Sequence, residues 1–250
     1  MYDKNSQAIF QEGANNINQN QSEENSGGNS SQNGTEDQPQ TAEHGVVNSG
    51  PIRIITIIGQ IEGHTQLPKD AKTTKYEHLI PMLAEMQRDN NVKGILFIVN
   101  TLGGDVEAGL ALAEIIRSMD KPTVSLVIGG GHSIGVPISV STNYSCIAKT
   151  ATMTVHPIRT TGLMINVPQT FRYYEKMQNR VEDFVCENSK ISHETLNKLM
   201  NAKDEMADDI GTVLVGGQAV DAGIIDEVGG LSSAFNKLYD LIDNVNNAQA

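Results

Sequence analysis

From Ile52 onward the chain alternates between short β-branched runs and longer stretches with helical spacing. IRIITIIG (52–59) is an apolar run closed by Gly59, and GILFIVN (94–100) is a second. Between them, KYEHLIPMLAEMQRD (75–89) places apolar residues every three to four positions. That spacing predicts a helix, with Pro81 as a kink or a late start. DVEAGLALAEIIRSM (105–119) predicts another, with Val106, Leu110, Ala113 and Ile116 on one face. Pro122 then opens TVSLVIG (123–129), a third buried strand. Strands alternating with helices in this way predict an α/β fold with a mostly parallel sheet.

The second half continues the alternation. CIAK (146–149) and ATMTVH (151–156) read as short strands. In the latter, Met153 and Val155 face one side, and Thr152, Thr154 and His156 the other. A long helical region runs from about Pro168 to Glu187, and another starts near Ser192, where Ser192 and Thr195 are possible caps. GTVLV (211–215) reads as a late strand. GQAVDAGIIDEVGG (217–230) reads as a helix turning into a strand, and LSSAFNKLYDLIDNV (231–245) as a closing amphipathic helix. In the long helical region Phe171, Tyr174, Met177, Val181, Phe184 and Val185 form a stripe wide enough to need a partner surface.

Residues 1–50 break this pattern: nine Asn and seven Gln stand among Ser, Gly and Glu, without aliphatic periodicity. Such a segment buries too little apolar surface to offset its ordering entropy, so it is expected to be a disordered acidic tail. Residues 51–250 are expected to hold one sizeable core. The net charge of −12 divides evenly between tail and core, and no Lys/Arg cluster appears, which argues against nucleic acid as a partner. No stretch approaches a membrane span, and the start of the chain lacks the charged-then-apolar order of a signal peptide. Cys146 and Cys186 lack metal-ligand spacing and read as two reduced thiols of a cytoplasmic protein.

Candidate chemistry gathers where strands end. Ser133 lies in GHSIG (131–135), between a buried strand and a helix-like run. Two readings are open: a helix N-cap flanked by turn glycines, or a nucleophile beside the unpaired N–H groups of a helix start. His156 ends a strand on its polar row and is the nearest downstream histidine, placed to take a proton from Ser133. His132 is a second possible base, although neighbouring side chains usually diverge, and His193 reads as an exposed helix-start residue. NTLGG (100–104) is either a tight turn or half of an oxyanion hole, with the Ile134 N–H as the other half. It lacks the Gly-Lys-Ser/Thr of a phosphate loop. Asp204, Asp208 and Asp209 cluster before the late strand as candidates to orient a histidine.

The order NTLGG, GHSIG, TMTVHP, a long helical arm and AVDAGIIDEV resembles the ClpP-type serine peptidases over about residues 51–242. Within that family it is most similar to the translocation-enhancing branch of spore-forming bacteria. The resemblance implies a ClpP/crotonase-like spiral of βαβ units with a projecting helical arm that packs on another subunit. It implies Ser133 as nucleophile, His156 as base, and Gly104 and Ile134 as oxyanion-hole donors. An ungapped match places the acid at Ala207, so a shift of up to two residues supplies Asp208 or Asp209, of which Asp209 adjoins the strand edge. Two departures stand out: His-Ser-Ile-Gly replaces the family's Ala-Ser-Met-Gly, and Leu102 replaces the proline before the glycines. The resemblance further implies a homo-oligomeric ring with inward-facing sites, peptide or pro-/signal-peptide substrates linked to export, an ATP-independent hydrolytic core, and no metal or organic cofactor. Nothing in the residues specifies an ATPase unfoldase as partner.

The order Ser, His, Asp separates this reading from α/β-hydrolases, in which the histidine comes last. Two rivals are a crotonase-type thioester enzyme, which needs an acid such as Asp105 or Glu107 near the glycine turn, and a non-catalytic scaffold of the same fold.

Overall fold

The structure, a computed structural model, describes residues 46–160, 166–203 and 210–249. Its centre is the parallel set β2 (Ile52–Glu62), β4 (Gly94–Gly104), β5 (Thr123–Gly131), β6 (Tyr144–Ile147) and β9 (Glu227–Val228), hydrogen-bonded in that order. Both faces of this sheet are covered, which explains why its strands read as unbroken apolar runs. Ile95, Leu96 and Phe97 are consecutive and all fully buried. On one face, Ile55, Ile57, Phe97 and Val99 pack with residues of α1 (Tyr76–Arg88), α2 (Val106–Arg117) and α3 (Gly135–Val140). On the other, Leu96, Val124, Leu126 and Cys146 pack under Ala234 and Leu238 of α7 (Leu231–Gln249). Burial there pushes the Cys146 thiol up to about 12, which fits a structural cysteine.

Three features depart from the sequence reading. The first run does not end at Gly59. That residue sits at φ +81 in a bulge, where a Cβ would collide with the Lys72 carbonyl, and the strand continues to Glu62 against β3 (Thr73–Lys75). Pro81 neither delays nor ends α1, which starts at Tyr76 and runs through the proline. Pro81 and Glu77 both lie on the exposed face, where water can satisfy the carbonyl that the missing N–H leaves unbonded. Finally, β1 (Val46–Ser49) pairs antiparallel with β2, so a strand takes up four of the last five residues of the stretch read as tail. The expectation for residues 1–45 lies outside the described residues.

A small second layer branches from the end of β5. The rung Gly130–Thr152 joins β5 to β7 (Thr152–Val155), and β7 pairs antiparallel with β8 (Thr212–Val215). Helix α4 (Val167–Glu187) is capped by Asn166, whose side chain accepts from the Gln169 N–H. Helix α5 (His193–Met200) is capped by Ser192, as predicted, through the Thr195 N–H. Of the predicted α4 stripe, Met177, Phe184 and Val185 are buried against the body. Nearer the start of the helix, Val167, Phe171 and Tyr173 are exposed. Helix α6 (Gly217–Asp221) leads into β9. Among the described residues no helix is long and apolar enough to cross a membrane.

Candidate active site

Ser133 follows β5 by two residues and, among the described residues, is the one non-glycine with positive φ, at 56°. An L-residue in that region is strained, and the strain is held by four surrounding backbone bonds. Ser133 N–H donates to the Thr154 carbonyl at 2.8 Å, and His132 N–H to the Thr101 carbonyl at 3.1 Å. Gly135 N–H donates to the His132 carbonyl at 2.8 Å, and Val136 N–H to the Ser133 carbonyl at 3.0 Å. The Ile134 N–H, between these committed groups, takes no backbone partner among the described residues. Helix α3 begins only at Gly135 and has no side-chain cap, so the N-cap reading of Ser133 does not hold. The hydroxyl itself makes no hydrogen bond among the described residues.

The glycine turn is pressed against this elbow. A Cβ on Gly103, which sits at φ +90, would stand 2.7 Å from Ser133 Cβ and 2.8 Å from the His132 carbonyl. Only glycine permits that approach. The last β4–β5 rung is Thr101–Gly131, and residues 103 and 104 pair only with β2. The edge of β4 nearest Ser133 is therefore open, and Leu102 stands there 75% exposed. Thr101 braces the turn: its hydroxyl donates to the Gly59 carbonyl at 2.6 Å and accepts from the Gly103 N–H at 3.1 Å.

His156 leaves β7 on the row shared with Thr152 and Thr154, opposite the buried Met153 and Val155. Its Nδ1 lies 2.7 Å from the Pro157 carbonyl. A carbonyl can only accept, so Nδ1 is the donor, and in the neutral ring Nε2 is then the nitrogen with the lone pair that a general base needs. Gly104, Ser133, Ile134 and His156 line one cavity of about 160 Å³. Apolar side chains such as Val136, Ile158, Val181, Val185, Leu196 and Met200 make up most of the rest of its wall, with Arg159 and Gln178 as the polar members.

The other candidate histidines, His132 and His193, do not line this cavity. His132 turns back, its Nδ1 2.8 Å from Thr154 Oγ1, and a Cβ on Gly130 would meet its Nε2 at 2.6 Å. Burial first, and then the coulombic influence of the neighbouring His156 ring, push the His132 pKa below the ordinary imidazole value. The unfolded chain therefore binds the His132 proton first as pH falls, so this group makes stability decline from about pH 6.5 downward until its folded pKa is passed. The melting temperature of the wild-type protein is expected to drop more steeply between pH 6.5 and 5 than that of His132→Gln. Parallel slopes would show that His132 titrates alike in both states. His193 is exposed at the start of α5, as expected, 3.8 Å from Asp183.

The acids near the glycine turn have structural work. Asp105 caps α2, accepting from the Ala108 N–H at 2.8 Å. Glu107 takes a two-pronged bond from Arg180 of α4 at 2.8 and 3.2 Å, which holds its carboxyl below the usual range. Both partners are about half exposed, so this pair orients α4 more than it stabilises the fold. Neither acid lines the cavity. Asp204, Asp208 and Asp209 lie outside the described residues. The chain re-enters at Ile210, and the rung Val155–Thr212 brings the start of β8 beside the strand end that carries His156. Gln178, which lines the cavity from α4, and its neighbours Arg180 and Glu182 are not singled out in the sequence. The i, i+4 spacing of Gln178 and Glu182 is the available signal, but nothing local ties them to His156.

Comparison with known proteins agrees with this fold. The family model described as Clp protease matches residues 50–232. The chain is 58% identical over 192 residues to the translocation-enhancing protein TepA of Halalkalibacterium halodurans, covering 77% of this chain and 75% of that one. It is 28% identical over 167 residues to the ATP-dependent Clp protease proteolytic subunit 1 of Chlamydia abortus, covering 64% and 80%. Among solved structures, a ClpP1 mutant from Listeria monocytogenes superposes with a TM-score of 0.59 at 18% identity, over 72% of this chain and 93% of that one. At that identity the superposition establishes the fold.

Proposed function

The chain belongs to the Clp protease family, and from that premise we propose that it is a serine endopeptidase. One observation carries the reading: Ser133 is held at positive φ in the same cavity as an imidazole whose Nδ1 faces a carbonyl, so that in the neutral ring Nε2 is the basic nitrogen. Ser133 Oγ attacks the peptide carbonyl while His156 Nε2 takes its proton, and the imidazolium returns that proton to the leaving amine. Water then attacks the acyl-enzyme by the same route in reverse, releasing the acid and restoring the hydroxyl. The Ile134 and Gly104 N–H groups receive the oxyanion. Asp209 supplies the negative charge that stabilises the imidazolium. An extended substrate runs along the open β4 edge at residues 102–104.

The apolar wall favours an aliphatic side chain before the scissile bond, since a cavity of about 160 Å³ suits one such group. The exposed Val167, Phe171 and Tyr173 favour assembly through the arm into a homo-oligomeric ring. Similarity to a translocation-enhancing protein favours a cytoplasmic role in export, with signal or pro-peptides as substrates. Short peptides need no unfolding and hence no ATPase. The crotonase alternative loses its acids to the α2 cap and the Arg180 pair.

Quenched-fluorescence peptides test this on the full chain and on one beginning at Val46. Both should sediment as multimers and cleave a Leu-containing peptide with kcat/KM on the order of a hundredfold above its Lys counterpart, because an apolar wall leaves the ammonium unpaired. Multimers without hydrolysis would favour the scaffold, and an active monomer would overturn the assembly.

A further inference from the structure

The peptide unit between Pro157 and Ile158 is bonded at both ends. Its carbonyl accepts from His156 Nδ1 at 2.7 Å, and its N–H donates to Gln178 Oε1 at 2.7 Å. The orientation of the Gln178 amide is thereby fixed, because an N–H can meet only its oxygen. Two acceptors face its nitrogen: Glu182 Oε1 at 2.9 Å and Met200 Sδ at 3.7 Å. Imidazole, peptide, amide and carboxylate thus form a chain in which each group donates to the next. Such a chain polarises cooperatively in a partly buried setting, and this one ends on a carboxylate.

Resting on the peptidase reading above, we infer that Gln178, backed by Glu182, is a positioning residue that fixes the tautomer and direction of the His156 ring. Gln178 lines the same cavity as His156, but neither side chain hydrogen-bonds the imidazole among the described residues; both act through the Pro157–Ile158 peptide. A free imidazole samples both tautomers, and the one with the proton on Nε2 cannot accept from Ser133. The polarised carbonyl holds the proton on Nδ1 instead. The support is firm on the α4 side: Met177, Phe184 and Val185 bury that half of the helix, and Arg180 forks onto Glu107. The exposed start of the same helix carries Val167 and Phe171, so a partner that shifts α4 would also shift the base.

Three forms of the full chain test this: wild type, Gln178→Met, which keeps bulk but removes both amide bonds, and the exchange Gln178→Glu with Glu182→Gln. In the exchange a carboxylate accepts from Ile158 and the neighbouring amide donates to it, so the chain is rebuilt with its two ends swapped. Each is measured for kcat and KM, and by nitrogen NMR of sedimented protein labelled in the histidine rings, with His156 assigned by its loss in His156→Gln. Gln178→Met should lower kcat about tenfold with KM within roughly twofold, the scale on which an imidazole's outer partner usually matters. Its spectrum should show an Nε2–H population at His156 that wild type lacks. The exchange should restore most of both readings. Wild-type nitrogens and kcat in Gln178→Met would overturn the inference, as would an exchange variant that melts like wild type yet stays as impaired as Gln178→Met. If wild type cleaves no peptide, the peptidase reading fails, and the spectra alone still decide whether Gln178 sets the tautomer.

Discussion

Replacing Ser133 with alanine is expected to abolish peptide hydrolysis, with kcat falling about a million-fold while the melting temperature stays close to wild type. The hydroxyl makes no hydrogen bond among the described residues, so its removal strands no buried partner. The Cβ, which carries the contact with Gly103, is kept. The elbow's backbone bonds to Thr154, Thr101 and His132 do not involve the side chain. His156→Ala should fall by a similar factor, and the double variant should be scarcely worse than either single one, because nucleophile and base act as one unit. Independent, multiplying losses would mean that His156 does not serve Ser133.

Asp209→Asn is expected to lower kcat about ten-thousand-fold, with Asp208→Asn mild and Asp204→Asn nearly silent. In the structure His156 Nδ1 donates to a neutral carbonyl, which sets the tautomer but offers no net charge to an imidazolium. The proposed role of the Asp209 carboxylate is to supply that charge. The antiparallel rungs run from Thr152–Val215 to Val155–Thr212, so the start of β8 lies beside the strand end that leads into His156. Asp209 is the acid nearest in sequence to that point. If Asp208→Asn proves the damaging change, the acid is one residue earlier. If all three aspartates are dispensable, the Pro157 carbonyl and the bonds behind it hold the base unaided.

The parallel core was legible because burial on both faces makes β2, β4 and β5 continuous apolar runs, and because each following helix shows a clean periodic face. The strands β1 (VVNS) and β3 (TTK) were not. Each is three or four residues long, and both are defined by pairing with β2 rather than by their own pattern. Gly59 misled for a related reason, since a glycine that bends a strand and one that ends it look alike in sequence. At the site, Ser133 and His156 stand out as candidates in the sequence because each follows a strand and carries its chemistry in one side chain, and the structure places both on one cavity. The N-cap alternative for Ser133 could be rejected only from its backbone angle and the start of α3 at Gly135. The Gln178 and Glu182 connection was hidden because it joins residues 20 and more positions apart through a backbone group, which has no side-chain signature.

The most direct measurement is intact mass after treating the full-length protein, and in parallel Ser133→Ala, with a fluorophosphonate that reacts only with activated serines. An activated nucleophile gives one adduct on each wild-type chain, located by peptide mapping to the segment containing Ser133, and none on the variant. An unlabelled wild-type chain, or an adduct that persists on Ser133→Ala, would contradict the assignment of Ser133 as the nucleophile.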